Sequence, residues 1–275
     1  MKIIFLSFSK CAGTAIKNAI KRNHPNLRKL PAWDKHEIGQ FTIRDLNEYD
    51  FFAGHFDWAN LDCVAGERFV FTVLRQPFDR IVSEYCYARE KAMMEAEKGR
   101  QFSLPHERGQ HLIRTLSPLE FFRLRNTEKR DIVHEQFDNV YTYFFFHRRY
   151  DGERFARARH IPRPRVLKMA LENLALIDYV ATFDTLQDDL REIERLTELR
   201  FSHDVAVEHQ TSFGAGQHKR DLTYHLDPTG ELVSLFEEFS SLDAMLYEMA
   251  RVHTAHRRQL VPRTHVPSAT SPALA

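Results

Sequence analysis

The sequence predicts an α/β, three-layer fold: a central, mainly parallel sheet flanked by helices. Three observations carry this. Apolar runs at residues 3–8, 51–56, 69–74 and 179–183 have the length and residue types of buried strands. Amphipathic stretches of helical period lie between them, as crossovers between parallel strands require. A chain of 275 residues, 43% of them hydrophobic, suffices for one large core.

Residues 3–8 end at the small and polar Ser9, Lys10, Cys11, Ala12, Gly13 and Thr14, after which Ile16, Ala19 and Ile20 recur at helical spacing. Strand, tight loop, helix is the expected order. Residues 51–56 form a second strand. Residues 69–74 form a third, whose unbroken β-branched and aromatic run indicates burial on both faces. Pro77 then stands where a helix begins, since the first turn needs no N–H from it. Ile81, Val82, Tyr85 and Ala88 give that helix its apolar face. The charged stretch that follows contains Gly99, Pro105 and Gly109 and reads as a helix end leading into a variable surface insertion at about residues 90–115. Ser117, Pro118 and Glu120 resemble a capped helix start. Residues 139–146 are strongly aromatic. A helix over 164–176, a strand over 179–183, a helix over 186–199 and one or two closing helices over 232–251 complete a single domain, residues 1–256. The tail, 257–275, is rich in Pro, Ser, Thr and Ala and is expected to be disordered.

With 39 basic and 38 acidic side chains, the net charge is +1, so no global field draws the chain to nucleic acid or a membrane surface. Any anion site must be local. Cys11, Cys63 and Cys86 make no disulfide framework, and no Cys/His spacing suggests zinc, so no metal is expected. No apolar run reaches the roughly 18–20 residues needed to span a bilayer, and the N-terminus runs straight into the first strand. These features lead to the expectation of a cytoplasmic protein.

In a parallel sheet, ligands bind at the carboxyl ends of the strands, where the loops after residues 8 and 74 both lie. In the first, Gly13 is expected to take backbone angles closed to other residues, and Ala12 to leave room for an anion. The helix behind offers unpaired N–H groups, Lys10 a full charge and Thr14 a hydroxyl. The order is not GxxxxGK[ST], since the lysine precedes the glycine. In the second, Arg75 stands at the strand end, where a guanidinium can grip phosphate oxygens, and Ser83 lies about two turns into the next helix. The plainer alternatives are an ion pair of Arg75 with Asp79 or Glu84, and a surface serine.

Together, residues 5–14 and 72–85 resemble the 5′-phosphosulfate loop and 3′-phosphate motif of sulfotransferases that use 3′-phosphoadenosine 5′-phosphosulfate (PAPS), nearest the carbohydrate branch with its uronyl 2-O-sulfotransferases and their bacterial relatives. Weaker similarity at 138–142, 183–196 and 242–247 extends the resemblance over most of the chain. It implies a P-loop-like fold and sulfuryl transfer from PAPS to a sugar or glycan hydroxyl. It also implies that Lys10 neutralises the bridging oxygen, that Cys11, Ala12, Gly13, Thr14 and Ala15 line the 5′-phosphate, and that Arg75 and Ser83 hold the 3′-phosphate. Two positions depart from the pattern: Ser9 replaces a usual Pro, and Ala15 a usual Ser or Thr.

A base must take the acceptor's proton. His55 is the first candidate because imidazole titrates near neutrality, and it matches the Gly-His segment of the resembled branch, though Ala53 replaces a second histidine there. Asp57 and Glu84 are alternatives. Lys219 and Arg220, in the polar stretch 209–220, fall where the family closes a loop over the nucleotide. Cys11 is read as a small structural residue, since a Cys-based phosphatase would carry Arg where Lys17 stands. Two other functions compete: an ATP- and magnesium-dependent kinase-like enzyme, which would need a strand-end Asp, and a non-catalytic PAPS- or glycan-binding homologue. Phe121, Phe122, Arg123, Tyr141, Tyr143, Arg148 and Arg149 suit an acidic sugar or a packed core equally.

Overall fold

The computed structural model describes residues 1–99, 108–150, 154–201 and 229–260. Among them, β1 (Lys2–Leu6), β2 (Phe51–Gly54), β3 (Arg68–Leu74) and β4 (Tyr179–Thr182) form one sheet in the order β2-β1-β3-β4. Every pairing is parallel; Leu6 is in register with Gly54 on one side and Thr72 on the other, and Leu74 with Thr182. The helices, in chain order, are α1 (Gly13–Asn23), α2 (Lys35–Ile38), α3 (Ile43–Asn47), α4 (Pro77–Glu97), α5 (Arg108–Thr115), α6 (Pro118–Arg123), α7 (Arg130–Phe137), α8 (Val140–His147), α9 (Arg154–Ala158), α10 (Arg163–Leu174), α11 (Leu186–Leu196), α12 (Glu231–Phe239) and α13 (Ser241–Leu260).

The period of two along a strand divides the core. Ile3, Phe5, Phe71, Val73 and Ala181 face α1 and α11, packing on Ile16, Ala19, Ile20, Leu190 and Ile193. Ile4, Leu6, Val70, Leu74 and Val180 face the other way, toward α8, α10 and α13. This is the three-layer arrangement expected, and it explains why the strands read as unbroken apolar runs. Phe5 and Phe71 stack across β1 and β3 with ring centroids 4.7 Å apart, a pair worth about 1 kcal/mol beyond its buried area. The aromatic stretch forms α8, which is buried from Val140 to Phe146, as a helix apolar on all sides must be.

Two expectations change and one holds. The stretch from 90 is not loop throughout: α4 continues to Glu97 with Ala92 buried, and α5 buries Ile113 in a third core. That core joins Phe78, Tyr85, Phe121, Phe122 and Phe137 to Phe236 and Phe239 of α12, and local charge density hid its few apolar anchors. The last helix runs past His256 to Leu260. The capped start at Ser117 is present as a reciprocal box with Glu120. No helix among the described residues is long and apolar enough to cross a membrane.

Candidate active site

From β1 the chain moves first to β2 on one side and then to β3 on the other, so the topological switch point opens between the carboxyl ends of β1 and β3. The loops leaving these two strands, residues 7–12 and 75–76, meet there. Arg75 Nη1 donates to the Lys10 carbonyl at 3.4 Å, and Ser9 Oγ donates to Glu84 of α4. The structure thus brings both sequence motifs into one cleft.

The first loop is built differently from expectation. Gly13 does not carry the unusual backbone; the left-handed residues are Lys10 (φ 66°) and Ala12 (φ 62°). Gly13 is required for space, because a Cβ there would stand 2.1 Å from Ser7 Oγ. Left-handed Ala12 followed by helical Gly13 curls successive N–H groups inward, the geometry of an anion-binding nest. The first helical bond runs from Ile16 N–H to the Ala12 carbonyl at 3.0 Å, so the N–H groups of Gly13, Thr14 and Ala15 precede any intrahelical acceptor. The N-cap residue Ala12 supplies no side-chain bond, and no acidic residue lies in the first turn. This end of α1 therefore keeps its positive potential. Thr14 is exposed beside it, whereas Ala15 is buried against the sheet, so position 15 offers its N–H and not its side chain.

Lys10 lies with Nζ 4.1 Å from the centre of the Tyr87 ring. Burial lowers its pKa, the Glu84 charge opposes that, and the Arg75 charge adds to it. The Arg75 guanidinium packs over Phe183 at 4.7 Å, and no carboxylate among the described residues pairs with it, so the ion pair with Asp79 or Glu84 is not formed. α4 begins at Pro77 with Gln76 Oε1 accepting from Asp79 N–H at 2.8 Å. Ser83 lies two turns along α4 and is 2% exposed.

His55 follows β2 and sits beside the first loop because β1 and β2 are in register. Its Nδ1 lies 2.7 Å from the Ser7 carbonyl. A carbonyl only accepts, so Nδ1 carries a proton, and in the neutral form of the ring the lone pair is on Nε2. The imidazole stacks on Tyr150 (centroids 5.2 Å) and meets Trp33 edge-on at 5.2 Å. Of the other base candidates, Glu84 is engaged by Ser9, and Asp57 accepts from Tyr150 N–H at 2.6 Å. Lys219 and Arg220 lie outside the described residues.

Behind the two loops lie Tyr141, which the sequence left open between glycan contact and core, and Arg80, which it did not single out. Tyr141 of α8 is fully buried, and its hydroxyl lies 3.1 Å from Cys11 Sγ, 3.1 Å from Arg75 N and 3.0 Å from the Arg75 carbonyl. Arg80 is 2% exposed, its guanidinium 5.5 Å from the Tyr141 ring. An arginine within the apolar stripe of α4 is the sequence signal for such a buried cation. Burial raises the Cys11 thiol pKa, so this cysteine is a neutral packing residue and not a thiolate.

Arg123 pairs with Glu231, and Arg148 with Asp62, while Phe121, Phe122, Tyr141 and Tyr143 are buried. The core alternative for the four aromatics therefore prevails. No cluster of three or more potential metal-ligating side chains occurs among the described residues. No curated protein matches the chain in sequence. A family model described as the sulfotransferase family matches residues 1–247, a span that takes in β1, both cleft loops, His55 and Tyr141. The chain belongs to the sulfotransferase family.

Proposed function

We propose that this protein transfers the sulfuryl group of PAPS to a hydroxyl of a sugar or glycan, with His55 as the base. The observation that carries the reading is the open, left-handed start of α1 beside Lys10, with Arg75 across the same switch-point cleft. The N–H groups from Ala12 to Ala15 and the Thr14 hydroxyl would hold the 5′-phosphate, with Cys11 and Gly13 shaping the loop. Arg75 would grip the 3′-phosphate in a bidentate fork, and Ser83 would meet it from α4. When bound, the donor supplies an activated sulfuryl group on a phosphate leaving group.

The chain's work is then positioning and charge stabilisation. His55 Nε2 takes the proton of the acceptor hydroxyl as its oxygen bonds to sulfur. On the opposite side the sulfur–oxygen bond to phosphate breaks, and Lys10 neutralises the charge released there. The Ser7 carbonyl holds the His55 tautomer that this requires. Half-buried Trp33 and Tyr150 flank the imidazole with apolar faces suited to a sugar ring, and Lys17 Nζ, 4.1 Å from the Trp33 ring centre, adds positive charge for an acidic one.

Calorimetric titration with 3′,5′-adenosine bisphosphate, ADP and ATP–magnesium tests the donor class on wild type and Arg75→Ala. Preference for the bisphosphate, lost in Arg75→Ala, is expected; equal or tighter binding of ATP–magnesium overturns the reading. With labelled PAPS and a panel of glycans, His55→Ala should abolish most turnover while keeping bisphosphate affinity. Undiminished turnover removes His55 as the base, and absence of labelled product in wild type favours a binding protein.

A further inference from the structure

We infer that the Tyr141 hydroxyl is a positioning group that locks the two donor-binding segments into one register, through Cys11 of the first and the backbone of Arg75 of the second. The inference rests on the donor reading above and extends it to a residue outside both motifs.

The hydroxyl has one proton and two lone pairs, and three groups surround it. The Arg75 carbonyl can accept from it at 3.0 Å, the Arg75 N–H donates to it at 3.1 Å, and Cys11 Sγ lies 3.1 Å away, a contact in which either group can be the donor. Burial holds both Tyr141 and Cys11 in their protonated forms, which this arrangement needs. The carbonyl and N–H used are those of the residue whose guanidinium faces the cleft, so the hydroxyl sets where that side chain starts. Cys11 lies between the left-handed Lys10 and Ala12, so the same hydroxyl steadies the turn that aims the α1 N–H groups.

Tyr141 is itself fixed from every side. Its N–H donates to the buried Asp243 carboxylate at 3.1 Å. Its ring packs edge-on against Phe8 (centroids 4.8 Å), and the Arg80 guanidinium lies near it. Arg80 Nε and Nη2 are buried with no hydrogen-bond partner among the described residues. Such a cation is costly to bury, and here its charge stands directly behind the two segments that would receive phosphate. α8 in turn is tied to α13 by exchanged caps: Asn139 Oδ1 accepts from Leu242 and Asp243 N–H, and Asp243 from Tyr141 and Thr142 N–H. A hydroxyl with this support spans two loops as a rigid strut.

The test compares 3′,5′-adenosine bisphosphate with 5′-AMP and 3′-AMP, by calorimetry, on wild type, Tyr141→Phe and Cys11→Ala, each checked by thermal unfolding. In Tyr141→Phe the bisphosphate should lose about tenfold in affinity, more than the product of the losses for the two monophosphates, because only the bisphosphate uses both segments at once. Cys11→Ala, which keeps the Arg75 contacts, should shift it in the same direction by about threefold and stands alone if Tyr141→Phe does not fold. Unchanged bisphosphate affinity, or losses that multiply simply, overturns the strut. A wild type without preference for the bisphosphate overturns the donor reading instead, and the strut with it.

Discussion

The starts of α1 and α8 are built alike and finished differently. Both N-cap residues are left-handed, Ala12 at φ 62° and Asn139 at φ 41°, and neither caps its own helix with its side chain. At α8 the Asp243 carboxylate takes the N–H groups of Tyr141 and Thr142 at 3.1 and 2.8 Å, with Arg80 supplying opposite charge nearby. At α1 no carboxylate among the described residues plays that part, and the cation beside it is Lys10. The molecule thus contains one helix start closed by its own anion and one left open at the switch-point cleft. On the function proposed above, the difference between a structural end and a binding end is a single anion, the Asp243 carboxylate of α13 in one case and the donor phosphate in the other.

Four substitutions break or sharpen this contrast, in descending size of effect. Lys10→Ala removes the cation at the open end. Turnover with PAPS should fall by two to three orders of magnitude, the usual loss for one group stabilising a leaving charge, with a smaller change in bisphosphate affinity. Ala12→Asp places a carboxylate at α1 as Asp243 does at α8, and Asp accepts left-handed angles better than Ala. Bisphosphate affinity should drop about a hundredfold while the thermal midpoint holds or rises; unaltered affinity would show that the α1 end is not where the donor phosphate binds.

Asp243→Asn tests the closed end. Burial raises the Asp243 pKa to about 6 despite the Arg80 charge and the bonds from Thr142 and Tyr141, against an ordinary value of 3.8. Folding therefore favours the neutral acid: its contribution is present below about pH 4 and is lost as pH rises through about 6, by up to about 3 kcal/mol. Urea unfolding from pH 4 to 7 should show this loss in wild type and a flatter profile in the Asn variant. Equal slopes would mean that Asp243 is ionised throughout. Finally, Gly13→Ala forces a Cβ against Ser7 Oγ and should cost about 1–2 kcal/mol, recovered in a Ser7→Ala background, as urea midpoints would show.

Much of this was legible in the residues. Unbroken β-branched and aromatic runs marked the buried strands, Pro77 and the Ser117–Glu120 pair marked helix starts, and the loops after residues 8 and 74 sat between the strand and helix expected of each. The account of Gly13 was less complete. Sequence shows that a small residue is needed but not whether angle or space demands it; the answer lay in Ser7, opposite it across the turn. Ser83 kept its place on α4, yet its burial could not be read from helical spacing alone, because it depends on what packs against that face of the helix.

Local pattern alone determined the strands, the helix starts at Pro77 and Ser117, the position of the two cleft loops and the family, because these depend on neighbours within a few residues. The strand order, the open cleft between β1 and β3, the buried Arg80 and the Tyr141 strut were decided only by tertiary structure. Tyr141 is 130 positions from Cys11 and 66 from Arg75. Only the packing of α8 against the sheet, locked by the caps it exchanges with α13, brings its hydroxyl to both, and no periodicity in the chain encodes a meeting at that distance.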